Sequence, residues 1–295
     1  MSVPQTARVA DVPRLRATAA RMRVEILRGF SHGKAHHFGG SFSCAEIVAS
    51  LYFHRMNWSA DRLDDPARDR FIMSKGHTVP AQYAALALAG VFPVAELATI
   101  KKLGGRLQGH PDKHKTPAIE APTGSLGMGL SYANGMALAA RLDGLNTEFF
   151  VLVGDGELQE GQCWEAAMTT GHFKLNSVTV IVDRNKWQGQ GRGDDIMCVE
   201  PLVDKFRSFG FDPIRIDGHD AGAVCSALDR AGRRSPRPVA IIADTVKGKG
   251  VDYMENTNKY HNAALSTEEY RKAEEQLLAQ LAAAGGAEAG FGAGR

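Results

Sequence analysis

The sequence contains no closely spaced pair of cysteines. Its four cysteines are scattered through 295 residues, so neither a disulfide framework nor a cysteine-rich zinc site is expected. It also has no secretory signal peptide and no apolar run long enough to span a membrane. These absences predict a reducing, cytoplasmic setting.

A strong charge imbalance is missing as well. The 35 Lys and Arg residues nearly balance the 33 Asp and Glu residues, which leaves a formal net charge of +2. Nothing in this balance favours a nucleic acid or a membrane as a partner. The length suits one large α/β domain or two small ones, with a sizeable core, and the composition favours one large domain.

Short apolar runs alternate with helical segments along the chain. Runs at 149–153, 177–182, 213–217 and 238–245 are typical of buried strands, and the alternation predicts an α/β fold, a parallel sheet with helices on both faces. We expect residues 15–283 to form this domain. Residues 1–14 are interpreted as a leader, and the Gly- and Ala-rich residues 284–295 as a disordered tail.

Two connections carry further expectations. Ser43 is predicted to be the N-cap of a helix that extends to Phe53, with Glu46 at the capping-box position. Residues 104–129 form a Gly- and Pro-rich segment that is too long for a simple connection, and loops of this length are often functional.

The run GDGELQEGQCWEA follows the first central strand, and Asn185 follows the next one. Since parallel strands joined by a helix end at the same sheet edge, Asp155 and Asn185 should be neighbours. Their side chains and the Trp187 carbonyl would give oxygen ligands for Mg²⁺ or Ca²⁺. So few ligands imply that a diphosphate supplies the others, and Gly154 and Gly156 allow the backbone to approach it closely.

This constellation resembles the thiamine diphosphate fingerprint, and GDGELQEGQCWEA resembles the transketolase family. The resemblance implies the thiamine diphosphate-binding (diphosphate domain) fold, thiamine diphosphate as cofactor, and Asp155, Asn185 and Trp187 as metal ligands. The segment TGSLGMG is similar to one that lies against the cofactor in that family. The implied cofactor-binding residues are Gly124, Ser125, Leu126, Gly154, Asp155, Gly156, Glu157 and Asn185.

Five histidines lie in loops or at element ends rather than on apolar faces: His37, His77, His110, His219 and His261. Their spacing matches no HExxH or other paired metal-ligand pattern. Neutral imidazoles suit proton transfer to and from hydroxyls near pH 7. For His219 a structural role stays open.

The transketolase resemblance gives these histidines roles, because HHFGGSFS, SKGH, QGHP and KGKG followed by a distal His are similar to family motifs. It implies that His37, His77, His110 and His261 face the donor carbonyl, the acceptor and the thiazolium ring. His36 is an alternative to His37, which we favour because GGS follows it at the expected distance. Glu160 would correspond to an interface acid that couples paired active sites.

The resemblance extends over most of the chain but covers only the diphosphate-binding portion of a full transketolase. It implies the N-terminal subunit of a split transketolase, active with a separate C-terminal subunit that carries the pyrimidine-binding domain, as an α2β2 heterotetramer. The reaction would transfer a two-carbon ketol unit from a ketose (phosphate) to an aldose (phosphate).

Two other classes remain open. One is another thiamine diphosphate enzyme, such as a deoxyxylulose-phosphate synthase relative or a 2-oxo acid dehydrogenase α subunit. The other is a non-catalytic diphosphate-binding protein, against which no GxGxxG opens a helix after the first strand.

Overall fold

The computed structural model describes residues 9–30 and 33–286. Most of the predicted leader, residues 1–8, and most of the predicted tail, residues 287–295, lie outside the described residues. Within the described part, a parallel sheet runs in the order β1-β2-β3-β5-β4. The strands are β1 Arg70–Met73, β2 Phe149–Gly154, β3 Val178–Arg184, β4 Asp212–Asp217 and β5 Val239–Asp244.

Helices cover both faces of this sheet. They are α1 Val12–Gly29, α2 Phe38–Ser43, α3 Ala45–Ser50, α4 Val79–Leu88, α5 Gly129–Leu142, α6 Gly161–His172, α7 Gly193–Ile196, α8 Leu202–Ser208, α9 Ala221–Arg230 and α10 Thr267–Ala283. None of the helices in the described ranges combines the length and apolar character needed to cross a membrane. The predicted α/β architecture is confirmed.

Successive residues of the central strands enter two different cores. Phe150 and Leu152 of β2 pack with the core that contains α1, α3 and α4, whereas Val151 and Val153 pack with the core that contains α5, α6 and α8. A strand that is buried on both faces has no polar face, which explains the continuous apolar run in the sequence.

The ends of the first and last helices follow local capping rules. The Asp11 side chain accepts a hydrogen bond from the Arg14 amide and caps α1, which begins at Val12. Near the other end of the described chain, Ser266 and Glu269 form a capping box at the start of α10.

The predicted capping box of Ser43 and Glu46 is wrong. The chain turns from α2 into α3 at Cys44, and neither helix has a side-chain cap. The Ser43 hydroxyl instead donates to the Asp183 carboxylate at 2.5 Å, and Glu46 accepts two hydrogen bonds from Arg23 at 2.7 and 2.6 Å. Buried charged groups override the local motif here, because an unpaired buried charge costs more than a lost cap.

Candidate functional site

A cleft lies at the carboxyl edge of the sheet, where β2 and β3 end side by side. In the register of the two strands Gly154 pairs with Asp183, so the residues that follow them share one edge. The Lys186 amide donates to Asp155 Oδ2 at 2.6 Å, which ties the turn after β3 to the turn after β2. Asp155 and Asn185 both line the cleft, as neighbours on its floor.

Asp155 is a buried carboxylate with unused acceptor capacity. Its oxygens accept hydrogen bonds from the Gly156 amide at 2.9 Å and from the Lys186 amide at 2.6 Å. Burial and the charge of Asp183 raise the pKa of Asp155 to about 6. A bound cation would favour the ionised form, because an opposite charge offsets desolvation.

Two other candidate oxygen ligands for a cation lie near Asp155. The Asn185 side chain donates to Asp183 Oδ2 at 3.2 Å, which turns its carbonyl oxygen toward the Trp187 amide at 3.1 Å. The Trp187 carbonyl accepts from the Lys247 ammonium at 3.4 Å. The positively charged ammonium group of Lys247 therefore already contacts the Trp187 carbonyl oxygen.

The described residues contain no group of three or more His, Cys, Asp or Glu side chains that could hold a metal. Asp155, Asn185 and the Trp187 carbonyl supply one carboxylate and two neutral oxygens. Mg²⁺ requires about six oxygen ligands, so this donor set fits a hard cation whose remaining ligands come from a diphosphate and water. It does not fit a closed, all-protein metal site.

Four histidine rings converge on the cleft. The His37 ring centroid lies 5.0 Å from that of His77, 5.4 Å from that of His261 and 6.4 Å from that of His110. His77 follows β1, and His261 lies in the segment after β5, so sheet topology brings together motifs that are distant in sequence. All four rings line the same cleft.

These imidazoles are neutral at neutral pH. Burial lowers the pKa of His37 to about 3, with further lowering by His261 and by Lys101. Burial also lowers the pKa of His261 to about 4, aided by Lys247, and lowers the pKa values of His77 and His110. A neutral imidazole carries one donor and one acceptor nitrogen, so each ring is able to take or give a proton.

The structure separates His36 from His37. His36 is 1% exposed and stacks on Phe30 with ring centroids 4.2 Å apart, and its backbone bridges to Ala263. His37 lines the cleft. Alternation along a bridged segment sends neighbouring side chains in opposite directions.

The remaining predicted cofactor residues divide into two groups. Gly124 and Leu126 line the cleft, and a Cβ on Gly124 would lie 3.3 Å from the His110 ring. Glu157 also borders the cleft, but its carboxylate is engaged with the protein. It accepts from the Ser74 hydroxyl, the Gly127 amide at 2.9 Å and the Gly154 amide at 3.0 Å, and so fixes the 124–129 segment to β2.

Two predicted site residues lie outside the cleft. Ser125 is exposed and borders a depression beside Tyr132 that adjoins the cleft at His110 and Gly124. Glu160 is exposed at the start of α6. Neither side chain lines the cleft of this chain.

Sequence analysis missed the lysines of the cleft. Lys247 is 2% exposed and donates to the Gln188 carbonyl at 3.2 Å and to His261 Nδ1 at 3.0 Å. Burial and the charge of Lys75 lower the pKa of Lys247 to about 8. Lys75 forms a buried ion pair with Asp183. The sequence signals were the motifs KGKG and SKGH, but an exposed lysine is the ordinary interpretation of such loops.

His219 has a structural role outside the cleft. Its Nε2 accepts from the Val246 amide at 2.8 Å, so its Nδ1 donates to Glu46 Oε2 at 3.0 Å. Burial would raise the pKa of Glu46, but Arg23 and His219 lower it to about 2. The anchored Val246 amide fixes the backbone next to Lys247.

Comparison with known proteins assigns this chain to a family. The model of the transketolase thiamine diphosphate binding domain matches residues 16–282. The chain belongs to the transketolase family. Its α/β fold and its correspondence to an N-terminal transketolase subunit, both predicted from the sequence, are confirmed.

Two related chains are transketolase subunits of similar length. The 6-deoxy-6-sulfo-D-fructose transketolase subunit of Clostridium sp. (strain MSTE9) is 43% identical over 241 residues, covering 82% of this chain and 88% of that subunit. An apulose-4-phosphate transketolase subunit from Actinobacillus succinogenes is 38% identical over 262 residues, covering 89% of this chain and 94% of that subunit.

The chain also superimposes on part of a solved transketolase. With the enzyme from Campylobacter jejuni it has a TM-score of 0.82 and 28% identity over 97% of this chain. The match covers 45% of that transketolase chain. This chain therefore spans less than half of that larger transketolase but most of the two related subunits.

Proposed function

We propose that this transketolase-family chain acts as the thiamine diphosphate-binding subunit of a split transketolase. Together with a separate C-terminal subunit it would transfer a two-carbon ketol unit from a ketose to an aldose. The observation that carries the proposal is the convergence of four neutral histidines and the Asp155–Asn185 floor on one cleft of about 740 Å³. A metal-diphosphate anchor and proton-transfer groups are what such a reaction requires from this domain.

Asp155, Asn185 and the Trp187 carbonyl would hold Mg²⁺ or Ca²⁺ together with the cofactor diphosphate. The chemistry that bound thiamine diphosphate supplies is that of a nucleophilic carbanion and electron sink. Lys75 and Lys247 also line the cleft, and their ammonium groups suit an anion such as a diphosphate. The metal's identity and its ligands are part of the proposal.

The histidines would handle the sugar. His37, His77, His110 and His261 face one space, and as neutral rings they would donate hydrogen bonds to carbonyl oxygen and move protons at sugar hydroxyls. Their mutual burial keeps the rings from charging near neutral pH, which preserves an acceptor nitrogen on each.

A partner subunit is part of the proposal, because the two related chains of similar length are named as subunits. We propose an α2β2 assembly in a cytoplasmic setting. Glu160 is exposed at the start of α6 and so is accessible to another chain. The exposure of Glu160 supports its proposed role as an acid at the interface between subunits. It does not support a direct contact between Glu160 and the reacting atoms.

The donor and acceptor sugars are not assigned. One related subunit is named for a sulfosugar and the other for a sugar phosphate, so relatives of this chain differ in substrate. We propose a sugar or sugar phosphate as the substrate class, and the histidine cleft fits the hydroxyls that these compounds share.

The test is reconstitution with a candidate subunit that carries a pyrimidine-binding domain. We expect ketol transfer from a panel of ketose donors only when both subunits, thiamine diphosphate and Mg²⁺ are present. Ketol transfer by this chain alone would contradict the split assembly. Decarboxylation of pyruvate without ketol transfer would favour the other thiamine diphosphate enzymes. In the active complex, His110→Ala should lower kcat and leave cofactor affinity unchanged.

A further inference from the structure

One buried carboxylate joins the segments that build the cleft. Asp183, at the end of β3, is fully buried, with an exposed fraction of 0%. Its Oδ2 accepts from the Ser43 hydroxyl at 2.5 Å and from the Lys75 ammonium. Oδ2 also accepts from the Asn185 amide at 3.2 Å, and Oδ1 accepts from the Thr245 hydroxyl.

Each of these donors belongs to a different part of the cleft. Ser43 ends α2, the helix that begins immediately after His37, and Lys75 lies two residues before His77. Thr245 follows β5 and begins the segment that carries Lys247 and His261. The fourth donor is the side-chain amide of Asn185, which lies in the turn after β3 and is a proposed ligand of the cation.

The same segments are tied to each other around this carboxylate. The Gly248 amide donates to the Gly39 carbonyl at 2.9 Å, and the Lys75 ammonium donates to the Gly40 carbonyl at 3.2 Å. A Cβ on Gly39 would lie 2.9 Å from the Lys247 side chain. The packing leaves little room for one segment to move without the others.

A carboxylate suits this position better than any neutral side chain. An ionised aspartate offers about four lone-pair sites and no donor, and here four side chains donate to it. An asparagine at this position would turn an NH₂ group toward at least one of those donors. With the four donors oriented as they are, only the ionised acid accepts all four hydrogen bonds.

We propose that Asp183 is the positioning residue of this site: it sets the Asn185 side chain for the cation and holds the His37, His77 and His261 segments in register around it. The cation role of Asn185 rests on the proposed function, whereas the coupling of the segments does not. Asp183 would act only through its partners, because it lies beneath the cleft rather than along its lining.

The first test substitutes Asp183→Asn in the full chain. Loss of the carboxylate leaves the Lys75 ammonium without its buried counter-charge, so this variant should be strongly destabilised or fail to fold. A variant with native stability would overturn the proposal. Because a folding failure alone would also fit a purely structural residue, a milder variant is needed.

Thr245→Val is that variant, since it removes one hydroxyl and keeps the shape of the side chain. Thr179→Val is a matched control: Thr179 is also fully buried, and its hydroxyl has no hydrogen-bond partner among the described residues. We expect faster amide hydrogen exchange over residues 245–250 in cofactor-free Thr245→Val and native exchange in Thr179→Val.

The second readout is binding of Mn²⁺, followed by its paramagnetic signal, to the complex of this chain with the proposed C-terminal subunit in the presence of thiamine diphosphate. We expect Thr245→Val to weaken Mn²⁺ binding by roughly tenfold, as for other residues that orient metal ligands. Native exchange and native Mn²⁺ affinity in Thr245→Val would overturn the proposal. If the native complex binds no Mn²⁺ with the cofactor, the proposed function fails, while the exchange data still decide whether Asp183 couples the segments.

Discussion

Replacing Lys247 by methionine should change how the stability of this chain depends on pH. The side chain is almost fully buried and ends beside His261 Nδ1 and the Trp187 and Gln188 carbonyls. Methionine fills a similar volume without a charge. The experiment uses the metal-free, cofactor-free chain, so that only the protein's own groups titrate.

The magnitude follows from the pKa of Lys247, which burial lowers from the ordinary 10.5 to about 8. Between these values the unfolded chain binds more protons than the folded chain, so stability rises with pH. Below pH 8 both states hold the proton, and burial of the charged form costs about 3 kcal/mol. When the pH is raised from about 7 to 9, the free energy of unfolding of the native chain should therefore increase by about 1 kcal/mol relative to that of Lys247→Met.

Urea unfolding of both chains at the two pH values measures this difference, and titrating groups that lie far from Lys247 cancel in the comparison. Lys249→Met is the matched control in the same segment, because Lys249 is partly exposed and its ammonium lies 3.6 Å from Glu255. The native chain should show no such increase in stability relative to Lys249→Met. An equal pH dependence for native and Lys247→Met chains would refute the burial argument.

Two further predictions concern stability. Because the pKa values of His37 and His261 are lowered to about 3 and about 4, the unfolded chain takes up protons first as the pH falls below about 6.5. Stability should therefore fall from about pH 6.5 toward pH 4, and the His37→Gln/His261→Gln variant should show a smaller loss in urea unfolding; equal losses would count against the neutral rings. A Cβ on Gly40 would lie 2.6 Å from the Thr78 methyl group, so Gly40→Ala should lower stability by about 1–3 kcal/mol. Gly135→Ala, on the exposed side of α5 with no atom within 4 Å, should raise stability by about 0.5–1 kcal/mol. Thermal unfolding compares the two glycine variants, and similar shifts in both would contradict the packing argument.

The sheet edge could be predicted because strand topology determines it. Apolar runs on both sides of α6 predicted two parallel strands, and the adjacency of those strands in the sheet brings Asp155 and Asn185 together. The histidine motifs could be identified one by one, but the distances of 5.0–6.4 Å from the His37 ring to the other three rings depend on loops whose course no local pattern specifies.

Tertiary burial accounts for most of what the sequence did not reveal. Ser43 and Glu46 satisfy a helix-capping pattern, yet buried partners take both side chains. Glu157 lies in the motif from which cofactor contact is predicted, but three protein donors hold its carboxylate. Asp183 lies near the end of a strand, where the sequence context is that of a turn residue. Its four hydrogen-bond donors come from separate parts of the chain, so the local sequence does not reveal its role. Local patterns carry no information about such long-range partners.

The most direct test of this account is calorimetric titration of thiamine diphosphate, with and without Mg²⁺, into the complex of this chain with its partner subunit. We predict Mg²⁺-dependent binding by the native complex and its loss in Asp155→Ala. Asp143→Ala, which removes an exposed carboxylate at the end of α5, should bind as the native complex does. Unchanged cofactor affinity in Asp155→Ala would contradict the proposed metal-diphosphate anchor.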